Sequence, residues 1–357
     1  MFPVLRLPHL AFKSVYRHLE IPDVIMLSQC SKRMKTIVRF MEKNGGKTLE
    51  VSIENLYSFM EVLSKKKKRL FIWKICLEGS RCHDEETFAN RIIEEKSWII
   101  AEGRCLFAPN WLSVSRWDCI DQDTLLAVRI FQNVFQCSIG KIETGFVKNI
   151  RFDKLLRSTS ILHSARKISI KMPNISPAQM TFTLDTFVAE KLSIAGYAGW
   201  QYSYQKPVLR FPNIKIKFEQ WITAPYLMEM AETCKKIRLW DGTRITDQDL
   251  NRLIKTWLAG TNETLEKIKI CRHPDFGVHR ARPPSVSFKR DVILNDVKFT
   301  ERKNRPEAES DEENDDDDEK IEVEIKRGDG KLARVIVHQE RNFDYGQFQF
   351  IVVKESC

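Results

Sequence analysis

The 357-residue chain lacks any apolar run long enough to cross a bilayer, which takes roughly 20 residues. Its nearest candidate, Leu70 to Leu77, is short and interrupted by Lys74. A secretory leader pattern is also missing, because Arg6, His9 and Lys13 break the apolar character of the N-terminus. The cysteines at 30, 76, 82, 105, 119, 137, 234, 271 and 357 are scattered, odd in number and never paired as CxxC. Such thiols suit a reducing compartment, so the expected location is cytoplasmic, nuclear or both. No phosphate-cradling GxxxxGK[ST], no GxGxxG after a strand, no GxSxG and no HExxH occurs. Cys76, Cys82 and His83 form a C-x5-C-H, and Cys271 with His273 a C-x-H, but neither matches the tight paired knuckles of a zinc site. No metal, cofactor or catalytic residue is expected from these patterns.

What is present is charge. The chain carries 58 basic and 48 acidic residues, a net of +10. Ten of the acids fall in 307–319, which holds no base, so the remainder has 38 acids against 58 bases and a net of +20. The acidic run lacks the alternation and central glycine of a calcium loop and reads as a self-repelling disordered loop screening a basic body, whose charge is expected to bias the chain toward acidic protein clients. Hydrophobic residues make up 43% of the chain, enough to exclude wholesale disorder. The run Lys65 to Arg69 reads as a solvated turn, with nuclear import as the alternative. Elsewhere the bases look dispersed rather than clustered, which speaks against nucleic acid as partner.

Residues 1–46 read as three short helices. Leu7, Leu10, Ala11, Ser14, Val15, His18 and Leu19 share a helical stripe. Pro22 and Asp23 open a second helix carrying Val24, Leu27 and Cys30, and Ser31 caps a third carrying Met34, Ile37, Val38 and Met41. Such a unit is too small to bury a strong core alone and needs a neighbour or partner. Over 47–145 the pattern predicts strands at Thr48–Ile53 and Leu70–Leu77. Helices are predicted at Leu56–Leu63, Glu85–Ile100 and Thr124–Phe135, with Pro109, Trp111 and Trp117 in an irregular connection. That β-α rhythm predicts a largely parallel sheet.

Between 166 and 270 a basic–apolar–x–apolar core recurs, starting at Lys167, Lys191, Lys215, Lys236 and Lys267. Ala224–Thr233 and Thr246–Ala259 read as helices between the later ones. One strand per 20–30 residues predicts an irregular leucine-rich-repeat-like α/β array. His273 to Pro284 reads as loop, and Ile321–Ile325, Leu332–Val337 and Phe348–Val353 as a β-meander with Asp329-Gly330 at a turn. The expected fold class is α/β (α+β overall): three helices, a segment of unknown type over 47–145, a repeat-like α/β domain over 146–275, a linker over 276–320 and terminal strands over 321–357.

The N-terminal run Phe2-Pro3-x-Leu5-x-Leu7-Pro8-x-Leu10, followed by Val15, Leu19, Pro22, Val24, Leu27, Ser28, Cys30, Ser31, Lys32 and Arg33, resembles an F-box of the large family expanded in nematodes. Residues 145–270 resemble its type 2 F-box-associated domain through Trp221-Ile222-x-Ala224-x-Tyr226-Leu227, Ile245-Thr246-x-x-Asp249-Leu250-Asn251 and Trp257-x-x-Gly260-x-Asn262-x-x-Leu265-Glu266. The resemblance implies a non-catalytic substrate-recognition subunit of an SCF-type ubiquitin ligase. It would bind a Skp-type adaptor, and through it a cullin, and hold a protein client with its C-terminal domain. Pro3, Leu5, Leu7, Pro8, Leu10, Val24, Ile25 and Leu27 match the family positions that contact the adaptor. An F-box interaction protein without ligase coupling and a nucleic-acid binder remain as alternatives.

Overall fold

The computed structural model describes residues 8–42, 46–54, 57–77, 88–93, 96–105, 108–115, 120–145, 165–199, 202–204, 206, 211–217, 221–240, 244–260, 262–272, 288–302, 319–340 and 345–353. Pro3, Leu5, Leu7, the 273–284 loop and all of the acidic run except Glu319 lie outside them, as do Cys82, His83, Trp117 and His273. The chain forms two compact units, Met1–Met172 and Pro173–Cys357.

The first unit opens with α1 (His9–Tyr16), α2 (Ile21–Gln29) and α3 (Lys32–Glu42). At the start of α2 the Asp23 carboxylate accepts from the Glu20 N–H at 3.3 Å, and Ser31 Oγ accepts from Met34 N–H at 3.0 Å to cap α3. The strands are β1 (Thr48–Ile53), β2 (Tyr57–Leu63), β3 (Arg69–Leu77), β4 (Phe88–Ile93), β5 (Lys96–Cys105) and β6 (Ala108–Ser115). Helix α4 (Ile120–Phe135), β7 (Ser138–Thr144) and β8 (Lys167–Asn174) follow, β8 ending just past the unit boundary. The sheet order is β8-β7-β1-β2-β3-β6-β5-β4. Pairs β1/β2, β2/β3, β4/β5 and β5/β6 are antiparallel, while β1/β7, β3/β6 and β7/β8 are parallel.

This corrects four sequence expectations. Where the helix Leu56–Leu63 is expected, Tyr57–Leu63 is a strand, because Ser58, Met60 and Val62 point inward on a period of two. Glu85–Ile100 contains β4 and the start of β5, where Ile92, Ile93, Trp98, Ile99 and Ile100 favour a pleated chain over a helix. Pro109 and Trp111 stand in β6, not in a connection, and the sheet is mainly antiparallel. The helix expected at Thr124–Phe135 is present and starts four residues earlier. It is also the neighbour the small helical unit needs. Arg39 of α3 donates to the Asn133 carbonyl at 2.6 Å, and Gln136 donates to the Arg39 carbonyl at 3.2 Å. Beneath it, Phe131 meets Phe71 and Trp73 of β3, each at 5.9 Å between ring centroids.

The second unit runs α5 (Pro177–Thr186), β9 (Lys191–Tyr197), β10 (Asn213–Lys217), α6 (Ala224–Thr233), β11 (Lys236–Trp240), α7 (Asp247–Leu258) and β12 (Lys267–Arg272). It ends with α8 (Arg290–Ile293), β13 (Phe299–Glu301), β14 (Glu319–Lys326), β15 (Leu332–Glu340) and β16 (Tyr345–Val353). The order is β9-β10-β11-β12-β16-β15-β14-β13, parallel through β12 and antiparallel beyond it. Sequential parallel strands with right-handed crossovers place their helices on one face. Toward that face point Leu192, Ile214, Ile237 and Ile268, and beside them Ile194, Ile216, Leu239 and Ile270, all buried. Trp257 of α7 meets Phe350 of β16 edge-on at 5.3 Å.

The five recurring cores are all strands, but their lysines do not share one register. Lys191, Lys236 and Lys267 are in register with Asn213, so the third core is displaced by two residues. The Asp329-Gly330 turn joins β14 to β15 as expected, with Gly330 at φ +93°. Arg327, only 3% exposed, ties this turn to the α7–β12 connection. It donates to the Asn262 carbonyl at 3.1 Å, to Glu263 at 2.9 Å and to Asp329 at 2.9 Å, and stacks 5.2 Å from the Trp257 ring.

Phe131→Ala is expected to cost about 3–5 kcal/mol in urea denaturation, the range for truncating a fully buried phenylalanine. Arg327 hydrogen-bonds Asp329 and holds its carboxyl below the ordinary range, and the Lys331 hydrogen bond does the same for Glu263. Depressed carboxyl values contribute stability that is complete above about pH 5 and lost as pH falls through the folded values. Arg327→Met should therefore lower the urea midpoint at pH 7 and flatten its decline between about pH 5 and pH 3. An equal decline in both proteins would show that the cluster contributes nothing.

Candidate functional site

Two surfaces emerge, one in each unit. In the first, α1 turns Phe12 and Tyr16 inward, not the stripe that the sequence spacing picks out. Leu10 is 78% and Val15 49% exposed, and with Ala11 and Ser14 they make an outward band on the other side of the helix. The inward side is anchored by polar contacts. Tyr16 donates to Glu42 Oε1 at 2.7 Å, and Lys47 closes an ion pair on the same carboxylate. Burial, reinforced by the Glu42 hydrogen bond, raises the Tyr16 phenol well above its ordinary value. Burial pushes the nearby Cys137 thiol up to about 12, so both stay protonated at neutral pH. Chemically this corner is a brace for α1, with no activated nucleophile.

Among the residues matched to adaptor contacts, Pro8 and Leu10 are exposed at the start of α1, and Leu27 is half-buried on α2. Val24 and Ile25 are 3% and 0% exposed, so they fix α2 from inside rather than offer surface. The thiol of Cys30 is exposed, while Cys76 and Cys271 are buried in strands. Lys65 to Lys68 and Arg69 are exposed at the β2–β3 turn. No cluster of metal-ligating side chains occurs among the described residues. None of the helices described is long and apolar enough to cross a membrane.

The second surface is the sheet face opposite the helices in the second unit. Register places three rows side by side on β10, β11 and β12: Asn213–Lys236–Lys267, Lys215–Arg238–Lys269 and Lys217–Trp240–Cys271. The bases that look dispersed along the sequence are thus gathered into one block, which corrects the linear reading. A signal for it existed. Lys-Ile-Lys, Lys-Ile-Arg and Lys-Ile-Lys put two bases on one side of each strand, since side chains alternate. Trp240 stands in the last row, with the ammonium groups of Lys215, Lys217 and Lys269 at 4.1, 4.7 and 5.9 Å from its ring. The Lys267 ammonium is destabilised by partial burial and then by Arg238, Lys269 and Lys236, which lowers its pKa.

The motif residues that single out this region do structural work instead. Tyr202, Tyr204, Trp221 and Tyr226 form an edge-on aromatic cluster with centroids 5.4–6.3 Å apart. Burial pushes the Tyr202 phenol up to about 12. Thr246 and Asp249 form a reciprocal capping box at the start of α7. Asn262 donates to the Ala231 carbonyl at 2.6 Å and accepts from Leu265 N–H at 3.1 Å.

Cross-strand like charges cost about 0.2–1 kcal/mol each. Arg238 lies in register between Lys215 and Lys269 and is exposed. Arg238→Thr is expected to raise stability by about 0.5–1 kcal/mol at low ionic strength, with the gain shrinking as added salt shortens the screening length. A loss of stability at low salt would mean that the block is not repulsive.

Comparison with protein families matches residues 4–44 to the F-box domain and residues 206–270 to the F-box-associated domain. The first match contains α1 to α3, and the second contains β10, β11, α6, α7 and the first four residues of β12. No curated protein and no solved structure matches the chain. An F-box followed by an F-box-associated domain of this kind is the architecture typical of nematode-type F-box proteins, and this chain has it.

Proposed function

We propose that the chain is the substrate-recognition subunit of an SCF-type (Skp–cullin–F-box) E3 ubiquitin ligase, working in the cytoplasm, the nucleus or both. F-box domains generally bind Skp-type adaptors. The observation that supports the reading most is the outward apolar band of α1, where Leu10 and Val15 stay exposed while Phe12 and Tyr16 hold the helix from behind. Scattered surface leucines are ordinary, but an apolar band on a firmly braced helix suits a partner that buries a few anchors. In this reading Pro8, Leu10 and Leu27, with Pro3, Leu5 and Leu7 before them, meet the adaptor. Val24 and Ile25 act as positioning residues beneath.

The irregular α/β array of the second unit would hold the client. The mechanism is proximity: a client lysine held beside a charged ubiquitin carrier reacts at a high effective concentration. The chain itself would supply no acid, base or nucleophile.

Both Leu10→Asp and Val15→Asp change exposed positions, so together they should alter stability by little more than about 0.5 kcal/mol per site. The full-length double variant is expected to lose Skp-type adaptor binding at least about tenfold in a purified pull-down, the loss expected from a buried anchor. Undiminished binding by the folded variant would overturn the assignment. Adaptor binding without recovery of a cullin would favour the second reading, an interaction protein uncoupled from ligase activity.

A further inference from the structure

Strands β10 to β12 carry like charges where a sheet gains nothing from them. Lys215, Arg238 and Lys269 stand directly opposite one another, as do Lys236 and Lys267. Directly opposed like charges destabilise a sheet, and six bases share nine positions here with no acid among them. Glu266 only borders the block, 3.4 Å from the Lys236 ammonium. The opposite face of these strands, by contrast, is uniformly aliphatic and buried. Bases gathered on this face alone have the form of a surface that attracts negative charge.

We infer that this block is the docking site for a carboxylate-rich, extended segment of the client protein, an inference that rests on the substrate-receptor reading above. Spacing supports it. Strands lie about 4.8 Å apart and alternate residues about 6.6 Å apart, so the block measures on the order of 10 by 13 Å. Carboxylates on alternate residues of an extended peptide repeat at that same longer spacing. At one end of the middle strand, Trp240 Nε1 is buried and has no hydrogen-bond partner among the described residues. An acceptor on the bound segment would satisfy this donor.

The extent of the positive field favours a peptide over nucleic acid. Along the same face the sheet continues to β14, where Glu322 and Glu324 stand near Arg302 and Arg334 at 3.5–3.6 Å. In the second unit the positive field on this face therefore starts with a single base on β9, Lys191 beside Asn213, is densest on β10 to β12, and ends there. A polyanion with phosphates at every step would run off it, and Trp240 is the only aromatic residue in the block, where single-strand binding uses several stacking platforms.

The test uses the full-length chain and a fluorescent peptide of about eight residues alternating Glu with Ser, followed by anisotropy at low salt. Lys215→Glu with Lys269→Glu should weaken binding at least about tenfold and flatten its salt dependence. A peptide with Gln for Glu should bind the wild-type chain no better than the variant does. Lys215→Gln with Lys269→Gln, the milder pair, covers the case in which charge reversal unfolds the sheet. It should weaken binding at least about threefold. Trp240→Phe should abolish any tryptophan fluorescence change on binding.

Wild-type affinity in the folded charge variants would overturn the inference. So would a single-stranded RNA of equal length that binds more tightly and is lost in the same variants. Adaptor binding, read in parallel, should persist in the block variants, while Leu10→Asp with Val15→Asp should leave the peptide bound. Absent peptide binding with intact adaptor binding would sink the docking site and leave the substrate-receptor reading standing.

Discussion

Everything in the second unit follows from four parallel strands taken in sequence order, with their helices on one side. Handedness of the crossover decides the side, and the two-residue period decides which residues see it. Ile214, Ile237 and Ile268 must be apolar because helices cover them, while Lys215, Arg238 and Lys269, one residue later, answer to no such demand. The fold is stabilised from one face, which leaves the other free to carry charge that packing would never select. Arg327 secures the far end of this arrangement, joining the meander turn to the helical layer through a buried guanidinium.

The first unit divides its labour in a similar way. Helix α1 is held by Phe12 and by the Tyr16–Glu42 hydrogen bond, and α3 is joined to α4 through Arg39 and Asn133. With the helix fixed from behind, Leu10 and Val15 add little to the stability of the unit and stay available to a partner. In both units, then, residues that build the fold and residues that face outward lie back to back on the same element.

This arrangement explains what was legible in sequence. Trp221, Asn262, Trp257 and the Thr246–Asp249 pair stand out because caps and packed aromatics demand particular residue types at particular spacings. They are structural, and they identify the domain without marking where it binds. Helical and extended readings of Leu56–Leu63 and Glu85–Ile100 compete because short apolar runs satisfy both periods. Aromatic and β-branched content, together with pairing to β3 and β6, decides for strand. On α1 the stripe at helical spacing is a true helix signal, and the spacing alone leaves open which side of the helix is buried. A neighbour, Phe12 with Tyr16, supplies more apolar area than Leu10 with Val15.

By itself, the amino-acid sequence determined the three N-terminal helices with their caps, the strand cores after Lys191, Lys236 and Lys267, and the terminal hairpin at Asp329-Gly330. Each depends on contacts within a few residues or on a local period. Tertiary structure alone decided that Asn213, not Lys215, aligns with those lysines. It also decided that bases from residues 215 to 269 share one face and that α1 exposes its leucine. Register and sidedness arise between segments far apart in the chain, where pairing and packing choose among options that each segment leaves open.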